Sequence, residues 1–354
     1  MRFVSAGLIA IAGFGLASTS LPLSAKETPP QVIRIAGQGN AGGTPYGSAV
    51  IGVVRAKEYL EKEFQADGVK IEWQFPRGTG PAINEAIANG QIDFANYGGL
   101  PNIVGRGAGL PTKVVASYGS APTYVLVGTN SQINTLADLK GKKVTVGRGT
   151  ILELSLDTLL SQAGLTQKDI QLFDLKAADQ VTAVTSGDVD AVVGGSNLLA
   201  LPERGIGKII YSTKGKVDPA NTFGSFVVTE AFAKKYPETT QRVVNAYVQA
   251  AYFSSQEKNR DELIKIWELT GTPKKAIVDD YINDPLADRL SPLLDTFYVG
   301  NVHRGIAFAE QQKLVRRKIN VGQWVDASYL NTAIKNFGYE NAWVKRDSSG
   351  KPQL

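Results

Sequence analysis

The chain alternates short apolar runs with longer segments in which apolar residues recur at helical spacing. In segment 47–64, Val50, Val54 and Leu60 fall on one helix face, whereas 32–36 is a mostly apolar run short enough for a buried strand. The same reasoning predicts further strands at 69–75, 93–96, 114–117, 124–127, 143–146, 170–175, 191–193, 208–211 and 226–228. It predicts further helices at 80–88, 100–107, 151–162 and 179–185, and a nearly all-helical chain after 230.

Strands that alternate with helices indicate an α/β fold with mainly parallel sheets, and the last third indicates a helical C-terminal elaboration. Residues 86–95 (AIANGQIDFA) resemble residues 183–192 (AVTSGDVDAV) at a constant offset. In each copy a helix ends at a glycine suited to the left-handed conformation, and an aspartate then leads into a strand. The repeat predicts two similar α/β lobes, with a chance likeness between two α/β units as the alternative.

Two Arg-Gly-Thr motifs, at 77–79 and 148–150, each stand between a predicted strand and a predicted helix. Ligands of open α/β sheets bind beyond the carboxyl ends of the strands, where helix N-termini attract anions. Arginine adds a forked cationic donor and threonine adds a hydroxyl. The residues predicted to hold an anion are Arg77, Thr79, Gly80, Arg148, Gly149 and Thr150. Alternatively, the threonines only cap helices and the arginines point into water.

Further ligand contacts are predicted where two strands end in glycine pairs. These candidates are Tyr97, Gly98 and Gly99 after one strand, and Ser196 and Asn197 after the other. The loop at 37–42 matches G-x-G-x-x-G, but it is too long before its helix and no acidic residue follows the second strand. We interpret it as cleft lining in which Gln38, Asn40 and Tyr46 are neutral hydrogen-bonding candidates. Tight turns and a purely structural loop are the alternatives.

The composition excludes several kinds of functional site. The chain has no cysteine, which excludes disulfides and thiolate metal sites, and its single histidine, His303, excludes zinc sites with several imidazoles. We expect His303 at the surface and Asp279-Asp280 on a solvated face, and we expect no catalytic residues, metal or cofactor. The 38 basic and 33 acidic residues are dispersed, so no nucleic-acid partner is expected.

The N-terminal segment 1–25 has the pattern of a secretory signal peptide. Arg2 precedes an apolar stretch at 4–16, which is shorter than the roughly 20 residues of a membrane span, and small residues end at Ala25. Cleavage before Lys26 is expected, and the missing cysteines fit a periplasmic location. A buried N-terminal helix is the alternative.

Four segments give the chain a family resemblance. These segments resemble the aliphatic sulfonate, taurine and nitrate group of ABC-transporter periplasmic binding proteins. They are NEAIANGQIDFANYGGLPNIVGRGAG (84–109), INTLADLKGKKVTVGRG (133–149), 159–190 and FAEQQKLVRRKINV (308–321). The resemblance implies a type II periplasmic binding protein, whose lobes are joined by two crossovers and close on a ligand. It implies a monomer that serves an ABC permease in the inner membrane.

The resemblance also suggests boundaries. Lobe one would comprise 26–127 and 226–354, and lobe two 128–225, with Gly224 helping the second crossover to bend. The insert 284–303 is unlike the family pattern, and the sequence assigns it no function.

The ligand implied is a small organic anion. Segment 190–195 lacks the bulky residue common in sulfonate binders, and Tyr97-Gly98-Gly99-Leu100 replaces a usual polar start, so we expect a wider pocket. This favours a sulfonate or sulfate ester with a larger, aromatic group. Nitrate, bicarbonate, a carboxylate or a thiamine-precursor pyrimidine are alternative cargoes, and an enzyme or a sensory domain on the same scaffold are alternative functions.

Overall fold

The computed structural model describes residues 1, 27–38, 43–76 and 79–353, so nearly all of the expected signal segment lies outside the described residues. The strands are β1 (Val32–Gly37), β2 (Lys70–Gln74), β3 (Phe94–Gly98), β4 (Thr112–Ala121), β5 (Tyr124–Val127), β6 (Lys143–Val146), β7 (Gln171–Asp174), β8 (Ala191–Gly194), β9 (Lys208–Ser212) and β10 (Thr222–Thr229). The helices are α1 (Ala49–Ala56), α2 (Tyr59–Phe64), α3 (Thr79–Ala88), α4 (Gly99–Ala108), α5 (Ile151–Gln162), α6 (Ala177–Ser186), α7 (Glu230–Lys235), α8 (Pro237–Ser255), α9 (Arg260–Glu268), α10 (Lys274–Tyr281), α11 (Leu286–Arg289), α12 (Thr296–Gln311), α13 (Val321–Trp324) and α14 (Ser328–Phe337).

The strands form two five-stranded sheets with the same topology. The first has the order β2-β1-β3-β10-β4 and the second β7-β6-β8-β5-β9. In each sheet the first three strands are parallel, and the fourth is antiparallel to both of its neighbours. We call the part of the chain built on the first sheet the first lobe and the part built on the second sheet the second lobe. The predicted two-lobed α/β fold is confirmed.

The glycine and the aspartate of the repeat at 86–95 and 183–192 have the same structural role in both lobes. Gly90 and Gly187 end α3 and α6 with positive φ angles of 66° and 81°. The carboxylate of Asp93 then accepts the backbone N–H of Arg34 at 2.9 Å, and that of Asp190 accepts the backbone N–H of Lys143 at 2.8 Å. The repeated aspartate therefore joins each central strand to the start of its parallel neighbour.

The two crossovers lie a few residues away from the expected boundaries. Strand β5 pairs with β8 and β9, so 124–127 belongs to the second lobe, and all of β10 belongs to the first sheet. The crossover segments are joined to each other, because the backbone N–H of Thr123 donates to the Thr213 hydroxyl at 2.9 Å and the Thr123 hydroxyl donates to the Ala220 carbonyl at 2.8 Å.

Helix 47–64 was predicted as one element and is two. Glu58 adopts a φ of 55° between α1 and α2, and this left-handed residue interrupts the helical hydrogen bonding. Leu60 and Phe64 nevertheless point into the same core as Val50 and Val54, which explains why the apolar spacing looked continuous.

The helical C-terminal elaboration packs mainly on the first lobe, as expected. One core under the first sheet combines α1, α8, α9 and α14 with Ile33, Ile35 and Phe94. A second core on the other face also receives Ile151 and Leu154 from α5 of the second lobe. The lobes are therefore in apolar contact on one side of the cleft. Among the described residues, no helix combines the length and apolarity that a membrane span requires.

Candidate functional site

A cavity of about 170 Å³ lies between the lobes, at the carboxyl ends of β1 and β4 of the first sheet. Most of its wall belongs to the first lobe and to α9–α11, and Ser196 contributes from the second lobe. The polar and aromatic lining residues are Gln38, Ser48, Asn96, Tyr118, Ser120, Ser196, Trp267, Thr270, Thr272, Asp280, Tyr281 and Arg289. This position is where open α/β sheets bind ligands.

The first turn of α1 forms one end of the cavity. Ser48, Ala49 and Ile51 line it, the Ser48 side chain makes no capping hydrogen bond, and no acidic residue occurs in that turn. Ala49 has a φ of 54°, a left-handed conformation that is uncommon for alanine, and its carbonyl accepts the Trp267 Nε1–H at 3.1 Å. Since unpaired N–H groups give a helix N-terminus a partial positive charge, this end of the cavity suits an anion.

The wall that adjoins α1 is aromatic. The rings of Trp267 and Tyr281 stack with centroids 4.4 Å apart and 22° between planes. The Arg289 guanidinium carbon lies 4.2 Å from the Tyr281 ring centroid. Burial raises the pKa of Tyr281 to about 12 and also raises the pKa of Tyr118 to about 12. Both phenols are therefore neutral hydrogen-bonding groups at physiological pH.

A buried ion cluster closes this wall. Arg289 donates to Asp280 and to Asp284, each at 2.9 Å, and also to the Ser120 carbonyl at 3.0 Å. The Tyr124 hydroxyl donates to the other oxygen of Asp280 at 2.9 Å. Asp280 was expected on a solvated face, but it is only 6% exposed, because Arg289 and Tyr124 provide its hydrogen bonds.

The cluster also gives the unusual insert 284–303 a structural role. Its Asp284 and Arg289 are both buried, and Arg289 fixes the end of β4 through the Ser120 carbonyl. Farther along the insert, His303 is exposed on α12, as expected.

Two of the candidate ligand contacts line the cavity, Gln38 and Ser196. Ser196 begins a short 3-10 turn, Ser196–Leu198, and Asn197 uses its side-chain oxygen to accept the Gly195 N–H at 3.2 Å. Tyr46 lies elsewhere, with its ring centroid 5.1 Å from the Arg55 guanidinium carbon.

The second Arg-Gly-Thr motif holds an acidic side chain of the protein itself. Glu153, whose side chain is 2% exposed, accepts the Arg148 Nε–H at 3.0 Å and the Gly149 N–H at 2.7 Å. Thr150 caps α5 by accepting the Leu152 N–H at 3.3 Å, and its hydroxyl donates to the Gly147 carbonyl. The carboxylate thus occupies two of the donors that were predicted to hold a ligand anion, the Arg148 Nε–H and the Gly149 N–H.

The first-lobe candidates around β3 have packing partners. Tyr97 is 1% exposed and its hydroxyl donates to Asn84, while Gly98 lies against Ile151 of α5. A side chain at Gly99 would overlap the Phe223 ring, and one at Gly80 would overlap Pro101. Close packing accounts for these residues without a ligand.

Asn40 and Arg77 lie outside the described residues, and only the backbone of Thr79, the first residue of α3, is described. Their roles as ligand contacts remain predictions.

The sequence analysis did not identify Ser48, Trp267, Tyr281 or Arg289. Ser48 had a usable local signal, since a serine directly before an apolar helical pattern predicts a helix N-terminus. The others come from the C-terminal elaboration, and no local pattern connects them to β1 and β4.

Comparison with known proteins places the chain in a family. The NMT1/THI5 like family model matches residues 51–258. A Bacillus subtilis protein provisionally named an aliphatic sulfonates-binding protein is 25% identical over 286 residues, covering 80% of this chain and 84% of that protein.

Comparison with solved structures gives the same family relationship as the sequence comparison. A protein from Methylobacillus flagellatus, provisionally named the periplasmic sulfonate-binding protein SsuA of a sulfonate ABC transporter, matches with a TM-score of 0.82 and 30% identity over 91% of this chain and 98% of its own. The desulfurization enzyme DszB, solved as a mutant in complex with biphenyl-2-sulfinic acid, matches with a TM-score of 0.66 over 86% of this chain and 99% of its own. At 16% identity, the latter likeness concerns the fold alone. The family match, the two-lobed fold and the relatives together show that this chain belongs to the NMT1/THI5-like family and is a member of the periplasmic binding proteins of ABC transporters that its sequence resembles.

Proposed function

We propose that the protein is the solute-binding component of an ABC importer and binds a small organic anion between its lobes. After export to the periplasm through its N-terminal signal segment, it delivers this ligand as a monomer to a permease in the inner membrane. The names of the relatives support a sulfonate. The observation that carries the proposal is the interlobe cavity, in which a helix N-terminus lies at one end.

The anion is expected at α1 rather than at Arg289. Arg289 already donates to two carboxylates, so its charge is compensated within the wall. The first turn of α1 has no acidic residue, and the Ser48 hydroxyl is not used as a cap. Ser48, Gln38 and Ser196 are therefore proposed as the polar contacts to the anionic head group.

The remainder of the ligand is proposed to lie against the aromatic wall. Trp267 and Tyr281 give the cavity stacked ring surfaces, and aromatic rings favour contact with another flat or apolar group. This arrangement supports a sulfonate or sulfate ester with an aromatic substituent over a small inorganic anion.

Calorimetry on the mature protein tests the cargo. The panel contains arylsulfates, alkanesulfonates and taurine, with nitrate, bicarbonate, a carboxylate and the thiamine-precursor pyrimidine as competing ligands. We expect saturable one-to-one binding, strongest for an aromatic sulfonate or sulfate ester. Binding of only a neutral or cationic ligand would contradict the proposal.

A matched pair of variants tests the position of the anion. Ser48→Asp keeps a residue that caps helices well but adds a negative charge beside the proposed head group, whereas Ser48→Asn is neutral and similar in size. We expect Ser48→Asp to weaken binding by about tenfold or more, and Ser48→Asn to stay within a few-fold of the parent. Equal affinities for both variants would move the anion away from α1.

We propose a receptor rather than an enzyme. Asp280 is the acidic group in the described part of the cavity wall, and both of its carboxylate oxygens already accept hydrogen bonds from the protein, one from Tyr124 and the other from Arg289. A sulfonate recovered intact after prolonged incubation would support this assignment, and release of sulfite would contradict it.

A further inference from the structure

Helix α10 contacts both lobes. Three polar contacts join it to the second lobe: Lys275 pairs with Glu203 at 2.7 Å, the Asp279 carbonyl accepts from Lys214, and Asp280 accepts from Tyr124 at 2.9 Å. The same helix is bound to the first lobe through α9.

The first-lobe contacts of α10 are equally specific. Tyr281 stacks on Trp267, and its carbonyl accepts an Arg260 N–H at 2.7 Å. Because α10 is bonded on both sides, a hinge motion that separates the lobes must break one set of contacts.

The second-lobe contacts differ in strength. Lys275 and Glu203 are more than half exposed, and an ion pair of this kind contributes little. Tyr124 is 2% exposed and Asp280 is 6% exposed, so their hydrogen bond to a charged acceptor is made away from water. Lys214 donates to the Asp279 carbonyl from a partly exposed position, so the Tyr124–Asp280 bond is the most buried of the three polar links between α10 and the second lobe.

The link is also connected to the cavity. Ile277, Asp280 and Tyr281 of α10 line it, and Asp280 holds Arg289, which in turn lies over the Tyr281 ring. We infer that α10 is a strap across the cleft and that Tyr124 is a positioning residue, which fixes Asp280 and the aromatic wall when the lobes are closed. The inference rests on the proposed function where it treats the cavity as a ligand site. The effect of the Tyr124–Asp280 bond on lobe closure does not depend on that function.

The position of Tyr124 beside the hinge sets how far the lobes must rotate before the bond breaks. Tyr124 is the first residue of β5, directly after the first crossover at 122–123. A displacement of about 1 Å is enough to break a hydrogen bond of 2.9 Å. Because Tyr124 lies beside the crossover, its backbone moves little when the lobes rotate, and the bond breaks only when the rotation shifts its hydroxyl by about this distance.

Distance measurements on the ligand-free protein test the strap. The chain has no cysteine, so Glu85→Cys in the first lobe and Lys168→Cys in the second, both exposed, give one clean pair of spin labels. Tyr124→Phe is expected to raise the ratio of open to closed lobes by about five- to tenfold in the pulsed electron resonance distance distribution.

Tyr298→Phe is the matched control. Its hydroxyl also makes a buried hydrogen bond, to Ser225 at 2.6 Å, but both residues belong to the first lobe. Tyr298→Phe is expected to lower stability and leave the distances unchanged. An unchanged distribution for Tyr124→Phe, or an equal change for Tyr298→Phe, would overturn the inference.

A double-variant comparison checks the partner. Once Asp280→Asn has been introduced, Tyr124→Phe should change the open-to-closed ratio much less than it does alone. Full additivity would show that Tyr124 acts through another group. Because these measurements use no ligand, failure of sulfonates to bind in calorimetry would refute the proposed cargo without affecting this result.

Discussion

Position 224 requires glycine because neighbouring atoms leave no room for a side chain, and not because the backbone must bend there. The sequence suggested that this glycine helps a crossover to bend, but it lies inside β10 opposite Gly98. A Cβ atom there would overlap the Tyr118 ring and the Tyr97 carbonyl. Its neighbours come from distant parts of the chain, so the sequence alone could not distinguish close packing from bending.

Gly224→Ala is expected to lower the free energy of unfolding by about 2–3 kcal/mol, because the added methyl group must displace β4 or β3. Gly128→Ala is the control, since its Cβ would meet only the Val184 carbonyl at 3.9 Å. Thermal melting compares the two variants, and equal melting temperatures would contradict the packing argument.

At Arg148, too, the sequence could not reveal the neighbour that tertiary packing provides. The Arg-Gly-Thr pattern correctly located a helix N-terminus, and the Thr150 cap follows from local sequence. The partner Glu153 is buried beneath it, and burial of that side chain depends on tertiary packing. The motif therefore indicated the right electrostatic environment without indicating which anion fills it.

The Arg148→Ala variant separates the two interpretations. A ligand contact predicts a loss of about 1–3 kcal/mol in binding free energy. The observed pair with Glu153 instead predicts a stability loss of about 1 kcal/mol, modest because Arg148 is half-exposed, and an unchanged affinity. Calorimetry and denaturation on one preparation measure both quantities, and a tenfold weaker affinity would return Arg148 to the binding site.

At the scale of elements, prediction succeeded where the signal is local. Alternation, helix-ending glycines and the repeated aspartate located β3, β8 and the helices before them. It failed at 47–64, where a left-handed Glu58 splits a continuous apolar pattern into two helices. It also missed the contacts of α10 and α11 with β5 and β4, because these join segments more than a hundred residues apart.

The repeated aspartates should differ in their contribution to stability. Asp93 accepts the Arg34 backbone N–H and two guanidinium hydrogen bonds, at 2.9, 3.0 and 2.7 Å, and is buried. Asp190 accepts the Lys143 N–H at 2.8 Å and is less buried. We expect a loss of about 3 kcal/mol for Asp93→Ala and about 1 kcal/mol for Asp190→Ala in urea denaturation.

The Asp→Asn variants at both positions serve as controls, since they keep the side-chain volume and one acceptor oxygen. Equal losses at Asp93 and Asp190 would show that equivalent topology, rather than burial and partner count, sets the contribution, and a larger loss at Asp190 would also contradict the prediction.

At the scale of the whole molecule, the two sheets match strand for strand, and the internal repeat predicted this. The position of the cavity could not be predicted in the same way. The sequence placed the anion between the two Arg-Gly-Thr turns, but Ile151 packs on Gly98 at the second of them, and the cavity lies near α1 and α10 instead. How two lobes meet depends on side chains from both, which a single-lobe pattern does not encode.

Alkaline pH should destabilise the molecule through its buried tyrosines. Burial raises the pKa of Tyr118 and of Tyr281 to about 12, above the unfolded value near 10. A raised folded pKa means that the stabilisation is complete below pH 10 and is lost as pH rises towards 12, on the order of 2 kcal/mol for each tyrosine.

Urea denaturation between pH 8 and 11.5 measures this loss, and Tyr281→Phe should reduce its slope. Tyrosinate absorbance that develops entirely near pH 10 in the folded protein would contradict the expected shift.

Small-angle scattering with and without candidate ligands tests the central claim, that two lobes close on an organic anion. We predict that an aromatic sulfonate or sulfate ester at saturating concentration lowers the radius of gyration of the mature protein. We also predict that Ser48→Asp needs about tenfold more ligand, or more, for the same change. Scattering profiles that stay the same across a broad panel of acidic metabolites would contradict the account.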